Sequence, residues 1–196
     1  MGNVKAKDEA AGAEGKAKRG LNSAKENKKK SQGKRVTQDY KNIPCNYGTW
    51  KGKKPGNTIW YPDKKHIPTP KDPHPYNNPN KLSWGKILKK YKIEGIQFRN
   101  GYPNFRKISR GTVNVGTENF STDREKNYML ADKAIADKKG CSHTEVQKWM
   151  KDEGYTWHEC ENMKTMMKVP CEVHANIPHR GGISEMKRLN EEKNLK

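Results

Sequence analysis

The sequence predicts an α+β fold whose C-terminal part is a ββα unit. Three observations carry this. Aromatic and alternating apolar residues between Gly48 and Val115 read as short strands. Two capping boxes between Thr122 and Glu145 open helices. After Gly154 a strand, a turn, a second strand and a short helix follow in 36 residues, about 155–190, and carry His158, His174 and His179.

Composition sets the outer limits. The 196 residues suit one domain with a tail. Hydrophobic residues make up only 31%, and the mean hydropathy is -1.24. Part of the chain therefore lacks the material for a core. That part is 1–35, which has no aromatic residue, and 11 Lys+Arg against 4 Asp+Glu. It reads as a disordered basic arm or linker, with the folded domain over 36–196. The whole chain carries 41 Lys+Arg against 22 Asp+Glu, a net charge of +19. Such an excess favours a polyanionic partner, nucleic acid first. No stretch has the apolar core of a signal peptide or the length of a membrane span.

The elements follow in order. Lys81 to Lys92 places Leu82, Trp84, Ile87, Leu88 and Tyr91 at helical spacing. Gly95 to Val115 alternates in the manner of strands. Thr122-x-x-Glu125 opens a helix bearing Tyr128, Ala131, Ala134 and Ile135, and Gly140 stops it. Ser142-x-x-Glu145 opens the next, with His143 exposed in its first turn, and Gly154 closes it. His66 and His74 sit in a proline-rich loop without ligand-like spacing. The four cysteines form no C-x-x-C pair, a spacing that argues against a four-cysteine zinc site. They read as free apolar residues, with a Cys160–Cys171 bridge as the second reading.

Within Tyr155 to Glu159, alternation puts Tyr155 and Trp157 on one face and Thr156 and His158 on the other. Trp157 then anchors a core while His158 faces a cleft. Glu161-Asn162 makes the turn, and Thr165 to Val169 returns. Pro170 pre-sets a helix from Cys171, which ends near Ile177 because Pro178 disfavours helix before it. His174 and His179 would stand about 140° apart on an ideal helix, so they converge only if Pro178 breaks it. Imidazole is a common ligand for divalent ions, and imidazole or carboxylate a common general base. The three histidines can hold one catalytic ion, hold a structural zinc, or be unrelated surface residues.

Tyr155-Thr156-Trp157-His158-Glu159, Met166-Met167-Lys168-Val169-Pro170 and Val173-His174 through Pro178-His179-Arg180-Gly181-Gly182 together resemble the HNH/endonuclease VII superfamily. Within it, the WHH-type nuclease domains at the C-termini of bacterial polymorphic toxins, akin to colicin-type DNases, are most similar. Gly101-Tyr102-Pro103-Asn104-Phe105 and Thr122-Asp123-Arg124 share the resemblance. It covers about 95–188, with a weaker similarity from Gly48 to Pro62.

The resemblance implies a treble-clef-like ββα-metal core that holds one divalent ion, Zn²⁺, Mg²⁺, Mn²⁺ or Ni²⁺. His158, His174 and His179 match its ligands, and Arg180 would steady the phosphate. Glu159 departs from the family at the position of the usual histidine base. Either Glu159 is the base, or His158 is the base and the ion has fewer protein ligands. The implied activity is an endonuclease toxin that cleaves DNA, with RNA as the alternative substrate. A zinc-stabilised module that binds nucleic acid without cutting it is the other alternative. The resemblance further implies export as part of a larger protein, action in the target-cell cytoplasm, and an acidic cognate immunity protein.

Overall fold

Four short strands form the first sheet: β1 (Gly48–Trp50), β2 (Ile59–Pro62), β3 (Ile96–Arg99) and β4 (Tyr102–Asn104), in spatial order β1-β2-β3-β4 and all antiparallel. The computed structural model describes residues 42–69 and 77–195; the predicted arm over 1–35 and His74 lie outside them. In β3, Ile96 and Phe98 are buried while Gln97 and Arg99 are exposed, the period of a half-buried strand. Arg99 pairs with Tyr102 across a two-residue turn, Asn100-Gly101, with φ of 51° and 80°. Positive φ at both positions is the primed hairpin turn that Asn-Gly favours. Pro103 is tolerated because β4 is an edge strand.

Helix α1 (Trp84–Lys90) buries Trp84, Ile87 and Leu88. It is shorter than the expected 81–92, because Ser83 caps its start in extended backbone and Tyr91 ends it.

The second sheet has the order β5-β7-β6, from β5 (Thr112–Asn114), β6 (Tyr155–Glu159) and β7 (Thr165–Pro170). Between β5 and β6 lie α2 (Arg124–Lys139) and α3 (His143–Asp152). The box expected at Thr122 and Glu125 is not the cap of α2. Asp123 caps it, its Oδ1 accepting from Lys126 N at 3.3 Å. The reason lies one turn on. Asn127, fully buried, donates to Ser121 O at 2.9 Å and accepts from Ser121 N at 3.0 Å. This brace fixes the incoming chain so that the carboxylate of Asp123 reaches the free N–H groups first. The second box is present as expected, with Ser142 and Glu145 bonding reciprocally. Gly140 ends α2 at φ 63°.

The β6–β7 hairpin is the wall between two cores. Met167 and Val169 join Trp60, Trp84, Phe98 and Phe105 on one side. Met166 and Trp157 join Ala131, Ile135 and Val146 on the other. Since opposed residues of an antiparallel pair share a face, Met167 directs its partner His158 to the first side, and Met166 directs Glu159 to the second. Beyond β7 come α4 (Cys171–His174) and α5 (Gly182–Asn194). Cys45, Cys141, Cys160 and Cys171 are all free, so the Cys160–Cys171 bridge is not formed. Among the described residues no helix is long and apolar enough to cross a membrane.

Candidate metal centre

Three elements deliver three histidines to one place. His158 sits near the end of β6, His174 is the last residue of α4, and His179 follows Pro178. Pro170 caps α4 as expected, but the helix ends at His174, three residues before Ile177. Ala175 to Ile177 form a turn instead, so the chain breaks earlier than Pro178 alone requires. His179 then folds back, with ring centroids 4.6 Å from His174 and 5.1 Å from His158. One ligand atom from each ring lies within 4.8 Å of the others. His158 Nδ1 and His174 Nε2 are 3.2 Å apart.

The approach of His179 needs Gly181. A Cβ there would stand 2.5 Å from the carbonyl oxygen of Glu159 and 3.5 Å from His158 Cε1. Gly182 is similarly close to Cys160 O and Phe120. The two glycines let the segment from His179 to the start of α5 lie against the end of β6.

Phe105, buried just past β4, is the floor of the cluster. Its ring centroid is 5.0 Å from His158, 5.8 Å from His174 and 5.5 Å from His179. In this apolar setting the imidazoles are held neutral. Burial, then the repulsion that a protonated His179 would add, keeps His158 well below the usual imidazole range. Burial, then His179 and His158, does the same for His174. Burial lowers His179 too, partly offset by its bond to Ile177. His179 Nδ1 donates to Ile177 O at 2.7 Å, which leaves Nε2 with its lone pair. Neutral imidazole with its other nitrogen bonded to a carbonyl is the form that ligates divalent ions. Nitrogens sharing one tetrahedral zinc stand about 3.4 Å apart, given bonds of about 2.1 Å. The donor set and its spacing therefore fit a metal ion.

Glu159 lies apart from the three rings, on the other face of β6. Its Oε1 is buried without a hydrogen bond, 3.6 Å from Arg124 Nε. Burial raises its pKa against the opposing charge of Arg124. His158 is 3% exposed and does not line the cleft of the other two rings; it reaches a second cavity of about 780 Å³, lined also by Tyr102, Phe105 and Arg106. The mouth belongs to His174 and His179, which line a cleft of about 830 Å³ with Arg124, Tyr128 and Tyr155. Arg124 is thus the cation beside the cluster that sequence reasoning did not assign. Its signal was present in Thr122-Asp123-Arg124, at the first turn of a helix. Arg180 is already engaged: its Nη2 pairs with Glu185 Oε1, and its guanidinium lies 5.7 Å from the Tyr102 ring centroid. Neither His66 nor His143 joins the site; His66 stacks on Tyr47 and His143 is exposed.

Lys90 at the end of α1, Tyr91 that caps it, and Asn176 steady α4 from behind. Lys90 Nζ and Tyr91 Oη both donate to Glu172 Oε1 at 2.5 Å, and Asn176 Nδ2 donates to Asn77 O and Glu172 O.

The decisive comparison concerns the segment that holds all three histidines. Residues 95–181 match the DNase/tRNase domain of colicin-like bacteriocin. No curated protein matches the chain. The matched segment runs from β3 to the glycine that seats His179, so β3 to β7, Phe105, Arg124, Glu159 and the histidines lie inside it. Similarity to a nuclease domain, a histidine cluster able to hold an ion and a strongly basic chain point the same way.

Proposed function

We propose that the chain is a metal-dependent endonuclease toxin of the HNH/endonuclease VII type, acting on DNA. The observation that carries this reading is the convergence of three neutral imidazoles inside the segment similar to colicin DNase/tRNase domains. His158, His174 and His179 would hold one divalent ion. When bound, the ion would supply Lewis-acid stabilisation of charge on the scissile phosphate.

The remaining roles fall to the chain's own groups. Ile177 O fixes the tautomer of His179 and Phe105 keeps water from the rings' inner edges. Glu159 is the candidate general base, because burial raises its proton affinity toward the working range of such a group. To act, its carboxylate must reach the cleft past Arg124, its neighbour at 3.6 Å. If it does not, His158 is the base and two histidines hold the ion. Arg124, on the rim of the cleft with His174 and His179, is placed to orient a phosphate oxygen. Arg180 is the second guanidinium, held by Glu185, whose other oxygen already pairs with Arg188 and keeps that partner when a phosphate displaces Arg180.

The tRNase half of the matched description keeps RNA as the alternative substrate. A family role in competition between bacteria would add an acidic immunity protein, suited to the +19 charge. The deciding experiment incubates purified protein with plasmid and with total RNA, with and without chelator, adding back Zn²⁺, Mg²⁺, Mn²⁺ or Ni²⁺. Chelator-sensitive nicking of plasmid supports the reading, and cleavage of RNA alone moves it to the alternative. Binding without any cleavage would leave a zinc-stabilised binding module.

A further inference from the structure

Lys168 buries its aliphatic stem in the sheet and brings its ammonium to the edge of solvent. It stands in the middle strand of the second sheet and is 4% exposed. Its cross-strand partner is Trp157, so it shares the face of Glu159, opposite to His158. Buried lysines ordinarily find a carboxylate. Among the described residues, Lys168 makes no side-chain hydrogen bond and no ion pair, and only the Trp149 ring, 4.7 Å from Nζ, covers its ammonium.

Its neighbours make the setting more cationic. Arg110 N donates to Lys168 O at 3.0 Å and Lys168 N to Gly111 O at 2.9 Å, which ties Arg110 beside it. Lys139, the last residue of α2, is the third cation. Burial, then Lys139, then Arg110 push the pKa of Lys168 down. Arg110 and Lys139 are exposed and likewise have no carboxylate partner among the described residues. The fold gains nothing from gathering three cations without a counter-charge, whereas a bound anion would supply one.

We propose that Lys168, Arg110 and Lys139 form a phosphate-binding subsite that takes a backbone phosphate of the nucleic-acid substrate, on the sheet face away from His158. The assignment of nucleic acid as the anion's source rests on the nuclease reading above. The subsite's contribution is to affinity and to the placing of the strand; the hydrolytic chemistry stays with the histidine cluster.

The test measures binding of a labelled DNA duplex by anisotropy, in chelator so that nothing is cut, across a range of salt. Lys168→Met, Arg110→Gln and Lys139→Gln should each weaken binding, Lys168→Met by about tenfold. Each should also flatten the slope of log affinity against log salt by about 0.9, one phosphate contact. The two exposed variants keep the test valid if Lys168→Met unfolds. Unchanged affinity and slope in both exposed variants would overturn the subsite. Inorganic phosphate forms a second arm: binding of it that Lys168→Met removes, with duplex affinity unaltered, would overturn the nucleic-acid source. Cleavage is scored separately, with metal restored. Loss of all cleavage by the wild type would sink the nuclease reading, while the binding slopes would still report on the subsite.

Discussion

His158 Nδ1 lies 3.2 Å from His174 Nε2, although 16 residues separate them and neither ring reaches a carboxylate among the described residues. Two neutral rings at that spacing share one proton or one ion. Removing either should therefore cripple metal binding more than folding. His174→Ala should lower Zn²⁺ affinity by at least tenfold in calorimetry. Zn²⁺ at a thousandfold excess over its dissociation constant should raise wild-type stability by about 4 kcal/mol. Zn²⁺ affinity unchanged in His174→Ala would remove this ring from the centre.

Acid should unfold the metal-free protein early. Burial lowers the folded pKa of His158, His174 and His179 below 6.5, so the unfolded chain binds protons that the folded one resists. Their contribution is complete above pH 6.5 and is lost as pH falls below it, by about 1.4 kcal/mol per proton per pH unit. Asp132 and Glu159 act in the opposite sense, because burial raises them. Their stabilising contribution is present at low pH and lost as pH rises through the raised values. Melting of chelated protein at pH 7, 6 and 5 should show a falling Tm, with a shallower fall in His174→Gln. A flat profile would show that the rings are not buried neutral.

Glu159→Gln separates the two candidate bases. The change removes the proton-accepting carboxylate at nearly constant shape. If Glu159 is the base, cleavage should slow about 100-fold or more at unchanged metal affinity. If His158 is the base, the variant should stay close to wild type. His158→Ala should abolish cleavage in either case, and full activity in it would refute the mechanism.

Trp157→Ala should mainly destabilise. The indole is 2% exposed and its Nε1 donates to Asp132 Oδ1 at 2.8 Å, so truncation opens a cavity and strips a buried carboxylate of a donor. A loss of about 3–5 kcal/mol in urea melts is expected.

Gly181→Ala tests the close approach that seats His179. The new methyl would meet Glu159 O at 2.5 Å, and backbone must give way. We expect a loss of about 1–3 kcal/mol together with weaker metal binding. Wild-type values for both would mean that the approach is not needed.

The sequence by itself determined the elements whose signals are local. Alternation around Trp157 separates core from site, Ser142 and Glu145 cap α3, Gly140 ends α2, and Pro170 starts α4. Each depends on backbone sterics or on a bond between residues a few positions apart. Asn100-Gly101 was an equally local hairpin signal that the reading over Gly95 to Val115 passed over. Only the tertiary structure decided what distant segments bring together. Phe105 under the histidines, Arg124 beside Glu159, Lys90 and Tyr91 on Glu172, and Arg110 and Lys139 around Lys168 join residues far apart in the chain. Even His158 and Glu159, adjacent in sequence, were assigned to one site by motif and sent to different cores by the pleat of β6. Side-chain direction in a strand is local, but what stands on each face is set by how the sheets and helices pack.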